Sequence, residues 1–303
     1  MFFPIPAAIA GSIFFLCLIG FRPGFTTFTF IMALAYALSG TIYSVLGLII
    51  VRLGKLSVYM IFLMLGGMLI PFIYGIAFLG EVPTPARIVG MVLLIASLFV
   101  PFLRLTGKKA ANAAKAGKQD LPDNNAPKGN LKLYIFLCVC VFILNGCVST
   151  VSKVHQINEA ALETNQFLMW INFFNLLLSA SAFGIYKLSA HLRTKRINNA
   201  EALPEVSENM RGNSVVADTK KRKTEFLIAL TLLATIALIN CGGGILMMNG
   251  AKTLPASVQF PMVTGGTIVL TSFAGWIFYK EKINLALGIG LALTLIGTVL
   301  FLF

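Results

Sequence analysis

Charge is scarce in this sequence, and the long apolar stretches contain none. Asp, Glu, Lys and Arg make up 12% of the 303 residues, hydrophobic residues 57%, and the mean hydropathy is +0.86. A soluble domain carries about twice that charged fraction, so a soluble globular reading is excluded. Carriers driven by protons usually keep a titratable group inside the membrane, and here Glu81, Glu281, Lys153 and His155 all fall at the ends of apolar runs. Histidine is nearly missing as well: the two, His155 and His191, belong to separate loops. The five cysteines, Cys17, Cys138, Cys140, Cys147 and Cys241, all lie in apolar runs. Cys138 and Cys140 are two apart and point in different directions from a helix, as small core residues do. No Cys/His spacing suits zinc, no GxSxG elbow or P-loop occurs, and no two carboxylates face each other inside a run. No enzyme activity, cofactor or metal is expected. The N-terminal 21 residues lack the basic start and small-x-small cleavage pattern of a secretory signal.

Nine uncharged runs are present: Met1–Phe21, Pro23–Val51, Leu56–Leu79, Ile88–Leu103, Leu133–Ser152, Thr164–Tyr186, Phe226–Ala251, Thr253–Tyr279 and Ile283–Phe303. A helix rises about 1.5 Å per residue, so ~20 residues cross the hydrocarbon. A charge at mid-bilayer costs about 2.5–3.5 kcal/mol on insertion scales. Lipid cannot satisfy open backbone groups, and no alternating barrel pattern occurs. The expectation is an all-α polytopic membrane protein with nine transmembrane helices, embedded in the lipid bilayer.

Net charge is +13. That excess sits in loops, which argues against a nucleic-acid partner. Loops Arg52–Lys55, Arg104–Lys132, Lys187–Glu225 and Lys280–Lys282 hold twenty of the 24 basic residues. Basic loops mark the cytoplasmic face, so residues 104–132 and 187–225 are expected in the cytoplasm, with the chain in a plasma (inner) membrane. Both long loops are polar and poor in aromatics, and are read as solvated.

Residues 57–93 align without a gap to residues 257–293. Nine of these 37 positions are identical: Ser57, Val58, Gly66, Gly75, Phe78, Glu81, Ala86, Gly90 and Leu93 each recur 200 residues later. This reads as an internal repeat, residues 1–103 and 133–303, joined by the basic linker 104–132. Five runs follow the linker and four precede it, so the first repeat is read as incomplete, with the partner of Leu133–Ser152 missing. An odd number of helices per repeat turns the second upside down relative to the first.

In element order the chain resembles the EamA-type carriers of the drug/metabolite transporter superfamily, built from two five-helix repeats. The resemblance rests on Ser57-Val58 with Gly80-Glu81, on Ser257-Val258 with Glu281, on Gly90 and Gly290 in the helices that follow, and on Asn145-Gly146 with Lys153. It covers most of the chain outside the two long loops. Where the family's turn reads Gly-Glu, the second half here has Lys280-Glu281. The resemblance implies a carrier of a small organic metabolite working by alternating access, and it does not choose the solute.

Polar side chains inside apolar runs are the candidates for lining a substrate site. In the second half these are Asn145, Ser149, Asn172, Asn175, Asn240 and Gln259; in the first, Tyr36, Ser39 and Tyr43, spaced i, i+3, i+7. Asn172 and Asn175 share a helix face, as do Asn145 and Ser149. The competing account of each is a helix–helix hydrogen bond worth about 0.6 kcal/mol. Glu81, Glu281 and Lys153 are read as a hairpin and helix-end motif. Asn240-Cys241-Gly242-Gly243-Gly244 is read first as a close helix approach, and second as a bend. With no titratable group inside a run, the expected process is facilitated diffusion or exchange of a neutral or zwitterionic small-molecule solute. A homodimer is a further expectation. The alternative from another class is a non-transporting scaffold or complex subunit.

Overall fold

The computed structural model describes residues 4–53, 56–116, 131–200, 215–279 and 285–303. Among the described residues the protein is helical, with no strands. The helices are α1 (Pro4–Leu18), α2 (Thr27–Leu53), α3 (Leu56–Phe78), α4 (Pro85–Ala116), α5 (Leu131–Ile157), α6 (Thr164–Ala200), α7 (Val215–Thr253), α8 (Ala256–Tyr279) and α9 (Leu285–Leu300). Each expected run carries one helix. Five segments are long and apolar enough to cross a membrane: Thr27–Leu53, Val58–Phe78, Lys132–Ile157, Thr231–Thr253 and Ala256–Phe278. Ala8–Leu18, Pro85–Val100 and Gly288–Leu300 are shorter apolar helices. The chain therefore has the helices of a multi-pass membrane protein.

Helix boundaries depart from the apolar runs at the polar loops. α4 continues from Leu103 to Ala116 through the stretch read as linker, and α6 continues to Ala200 through the one read as a solvated loop. Charge ended the runs, but Lys-Ala-Ala-Asn-Ala-Ala-Lys is rich in the strongest helix formers. His155, read as a loop residue, lies in α5 and is buried.

The chain packs as two compact units that do not coincide with the sequence halves. One comprises residues 1–38 and 162–247, the other residues 39–161 and 248–303. In the first, α1 packs on α6. Gly11 leaves room for Asn172, whose Oδ1 would lie 2.5 Å from a Cβ there. The turn after α1 takes positive φ at Gly20 (61°) and Phe21 (57°). Its Gly24 peptide is then held on both sides by α6: Gly24 N–H donates to Gln166 Oε1 (2.6 Å), and Trp170 Nε1–H donates to Gly24 O (3.0 Å). Phe25, Phe30, Phe173 and Phe174 pack edge-on or tilted around Trp170. Trp170 is a staple of this turn. Gln166→Ala removes one half of the staple and is expected to cost about 1 kcal/mol, read from thermal denaturation in detergent.

The second unit is built on α3. It packs on α5 and α8, and α4 packs on α9. Without a hydrophobic force between helices in lipid, small residues set how closely backbones approach. A Cβ on Gly66 would collide with the backbone carbonyl of Phe142, and Gly146 answers it by accepting Ile70. Gly90 and Gly297 bring α4 and α9 together so closely that a Cβ on either would lie 2.8–3.0 Å from the carbonyl of the other. Met68, Phe72, Met91, Leu94, Val258 and Phe301 fill the core between α3, α4 and α8. A second cluster, Ile50, Tyr134, Cys138 and Val141, lies between α2 and α5.

Candidate functional site

The densest buried polar group lies in the second unit, where α7 gives way to α8. The sequence there is Ala251-Lys-Thr-Leu-Pro-Ala-Ser257, and Pro255 causes the break. It has no N–H, so the Ala251 carbonyl has no donor four residues on. Leu254 N–H still closes onto Gly250 O at 2.9 Å, the last bond of α7. Both Val258 and Gln259 N–H then turn to Pro255 O, at 3.0 Å each, leaving the Leu254 carbonyl open. On the other side of the break, Ala256 and Ser257 N–H are the orphan donors of a new helix. Pro255, in the capping position, has no side-chain acceptor to offer them.

Two charged side chains from elsewhere in the unit close these gaps. Lys153 of α5 donates from Nζ to Ala251 O and to Leu254 O, both at 2.7 Å, and is only 5% exposed. Glu81, between α3 and α4, accepts Ala256 N–H on Oε1 at 2.6 Å and Ser257 N–H on Oε2 at 2.8 Å. These short distances are those of charge-assisted bonds. Each charge also matches its helix end, the cation at the C-terminus of α7 and the anion at the N-terminus of α8. Glu81 lies within electrostatic reach of Lys153. Its own backbone is fixed by Gly80, at φ 66°, and by Glu81 N–H donating to Gly75 O at 3.0 Å. Gly75 is required here because a Cβ would lie 2.5 Å from Glu81 Oε2. The Ser257 hydroxyl, fully buried at the same break, has no hydrogen-bond partner.

The remaining candidates divide between the units. Asn145 sits on α5 and donates from Nδ2 to Leu63 O of α3 at 2.7 Å, beside Gly67. Ser149, one turn on, donates to Asn145 O at 3.3 Å. Gln259 is buried on α8 and faces Gly250 of α7. Tyr43 packs against the Ile50 cluster, and Ser39 is half-buried. In the other unit Tyr36 meets the edge of Phe167, Asn172 donates to Leu168 O of its own helix at 2.8 Å, and Asn175 is half-buried. Asn240 is exposed. Among the described residues a Cβ added at Gly242 or Gly243 would meet nothing within 4 Å, and one at Gly244 would make ordinary contact with Leu168 at 3.7 Å, so no tight helix approach is seen there. Glu281 lies outside the described residues.

The sequence places Glu81 and Lys153 at helix ends without connecting them. The signal that connects them is Pro255, which marks two unmet carbonyls in an otherwise apolar stretch. Charge puts the boundary at Lys252 instead, which lies inside α7. No protein-family model matches this sequence, and no curated protein matches it.

Proposed function

We propose that this chain is a membrane carrier that moves a small organic solute by alternating access between two inverted helical repeats of the EamA type. The observation that carries this reading is the helix break between α7 and α8, held by the buried Lys153 and the half-buried Glu81. Buried ionisable groups between apolar helices are costly and mark functional places in membrane proteins. In repeat-built carriers, helix ends and unpaired carbonyls hold substrates and ions, and here α7 and α8, each carrying a segment long enough to span, end against these two side chains. The repeat draws further support from the helix packing. α3 packs on α8 and α4 on α9, the helices that the 200-residue offset pairs. Ser57, Gly275 and Glu281 repeat the break's Ser257, Gly75 and Glu81 at the same spacing.

Lys153 and Glu81 are engaged with backbone groups, which favours a neutral or zwitterionic solute recognised by amide and hydroxyl groups such as those of Asn145 and Ser149 on α5. The twenty basic loop residues favour loops 104–132 and 187–225 on the cytoplasmic side of a plasma (inner) membrane. The test is thermal denaturation of the purified chain against a panel of amino acids, sugars and nucleosides. A bound solute at one hundred times its Kd stabilises by ~2.7 kcal/mol, which raises Tm by about 5 °C or more. If no solute class shifts the melt, the scaffold or subunit reading replaces the carrier. Uptake into proteoliposomes that follows a pH gradient through Glu81 would count against the uncoupled process.

A further inference from the structure

We infer that Lys153 is a tethered cation: its ammonium occupies, at the break between α7 and α8, a site that a free monovalent cation would otherwise have to fill. Three observations converge on this. Pro255 frees the Ala251 and Leu254 carbonyls, and both point their oxygens at one nitrogen, 2.7 Å from each. Free carbonyls at a helix C-terminus, with its partial negative charge, are groups that coordinate cations in carriers. The nitrogen is taken out of water, Lys153 being 5% exposed. Glu81 lies near enough to act on it electrostatically while capping the opposite helix end.

Charge counting gives the valence. The α7 C-terminus contributes about half a negative charge and the α8 N-terminus about half a positive one, and these cancel. Glu81 carries one negative charge and Lys153 one positive. Removing the lysine leaves a buried site of net charge minus one, with the two carbonyl oxygens of Ala251 and Leu254 open and the Glu81 carboxylate within electrostatic reach. Such a set takes Na⁺, K⁺ or a small alkylammonium, and a bulky cation does not fit a buried place. This deepens the carrier reading and rests on it for one consequence: a carrier with its cation built into the chain needs no sodium gradient.

The experiment requires no solute, so its outcome is separate from that of the carrier reading. The full chain is melted in detergent as wild type, Lys153→Ala, Lys153→Arg, and Lys153→Ala combined with Glu81→Gln. Each is measured in the chloride of sodium, potassium, methylammonium or N-methyl-D-glucamine at equal ionic strength. Wild type and Lys153→Arg are expected to melt at the same temperature in all four. Lys153→Ala is expected to lose ~5 °C in N-methyl-D-glucamine, and to regain most of it, saturably, in at least one small cation. Added to Glu81→Gln, the same change is expected to lose that response. A Lys153→Ala protein that folds only in a small-cation salt also supports the proposal. Equal melting of Lys153→Ala in all four salts overturns it. Aggregation of that variant in every salt while Lys153→Arg folds overturns it too, as does a wild type stabilised by sodium as strongly as the alanine variant.

Discussion

Gly66→Val is expected to destabilise the protein by about 3 kcal/mol or more, enough to prevent accumulation of folded protein in the membrane. The added atoms meet the backbone carbonyl of Phe142 on α5 rather than a side chain that could rotate away. α3 and α5 would have to separate, and their separation also opens the Asn145–Leu63 bond and the seat of Ile70 against Gly146. Overpacking usually costs about 1–3 kcal/mol because neighbours give way; here the neighbour is another helix's main chain. Gly243→Ala is the matched control. Nothing lies within 4 Å of its added carbon, so the helical preference of alanine is expected to stabilise α7 by about 0.5–1 kcal/mol. Denaturation curves of the two variants in mixed micelles check both signs. Equal, small effects would show that α3 and α5 are not in backbone contact.

Glu81→Ala is expected to cost about 3 kcal/mol. Two backbone N–H groups lose a charged acceptor, at about 1.5–3 kcal/mol apiece, and Lys153 is left buried without its nearby anion. Glu81→Gln keeps one carbonyl oxygen and is expected to lose roughly half as much. Glu81→Ala combined with Lys153→Met is expected to be less damaging than the sum of the two single changes, because the double variant leaves no isolated charge. A double-mutant cycle by thermal or denaturant melting measures the difference. Strict additivity would mean that the two helix ends are held independently.

Much of this architecture is legible in the run lengths. Nine apolar runs correspond to nine helices among the described residues because a long uncharged stretch in lipid has to satisfy its own backbone groups. Helix ends are less legible. Charge ends each run on paper, yet α4 passes Arg104 and α6 passes Lys187, since the residues beyond them still favour helix. The polar candidates stand out for being polar inside apolar runs. Asn145 makes a contact between helices, Asn172 bonds to its own helix, and Asn240 is exposed. Helix periodicity gives a residue's face but not what that face meets. The tertiary partners of Glu81 are beyond the sequence for the same reason, because they are main-chain N–H groups that every residue but proline has. The repeat points toward them, since Ser57, Gly75 and Glu81 are three of its nine identities.

The bonds from Glu81 to Ala256 and Ser257 span 175 and 176 residues of chain. A ribosome working at about 5–20 residues per second needs roughly 10–35 s to make that length. During that interval α3, α4 and the Glu81 carboxylate are already synthesised, and the amides that will receive the carboxylate do not yet exist. Lys153 waits about 100 residues for its carbonyls. The second unit therefore closes late in biosynthesis, and truncation before Ala251 leaves both charges without their places.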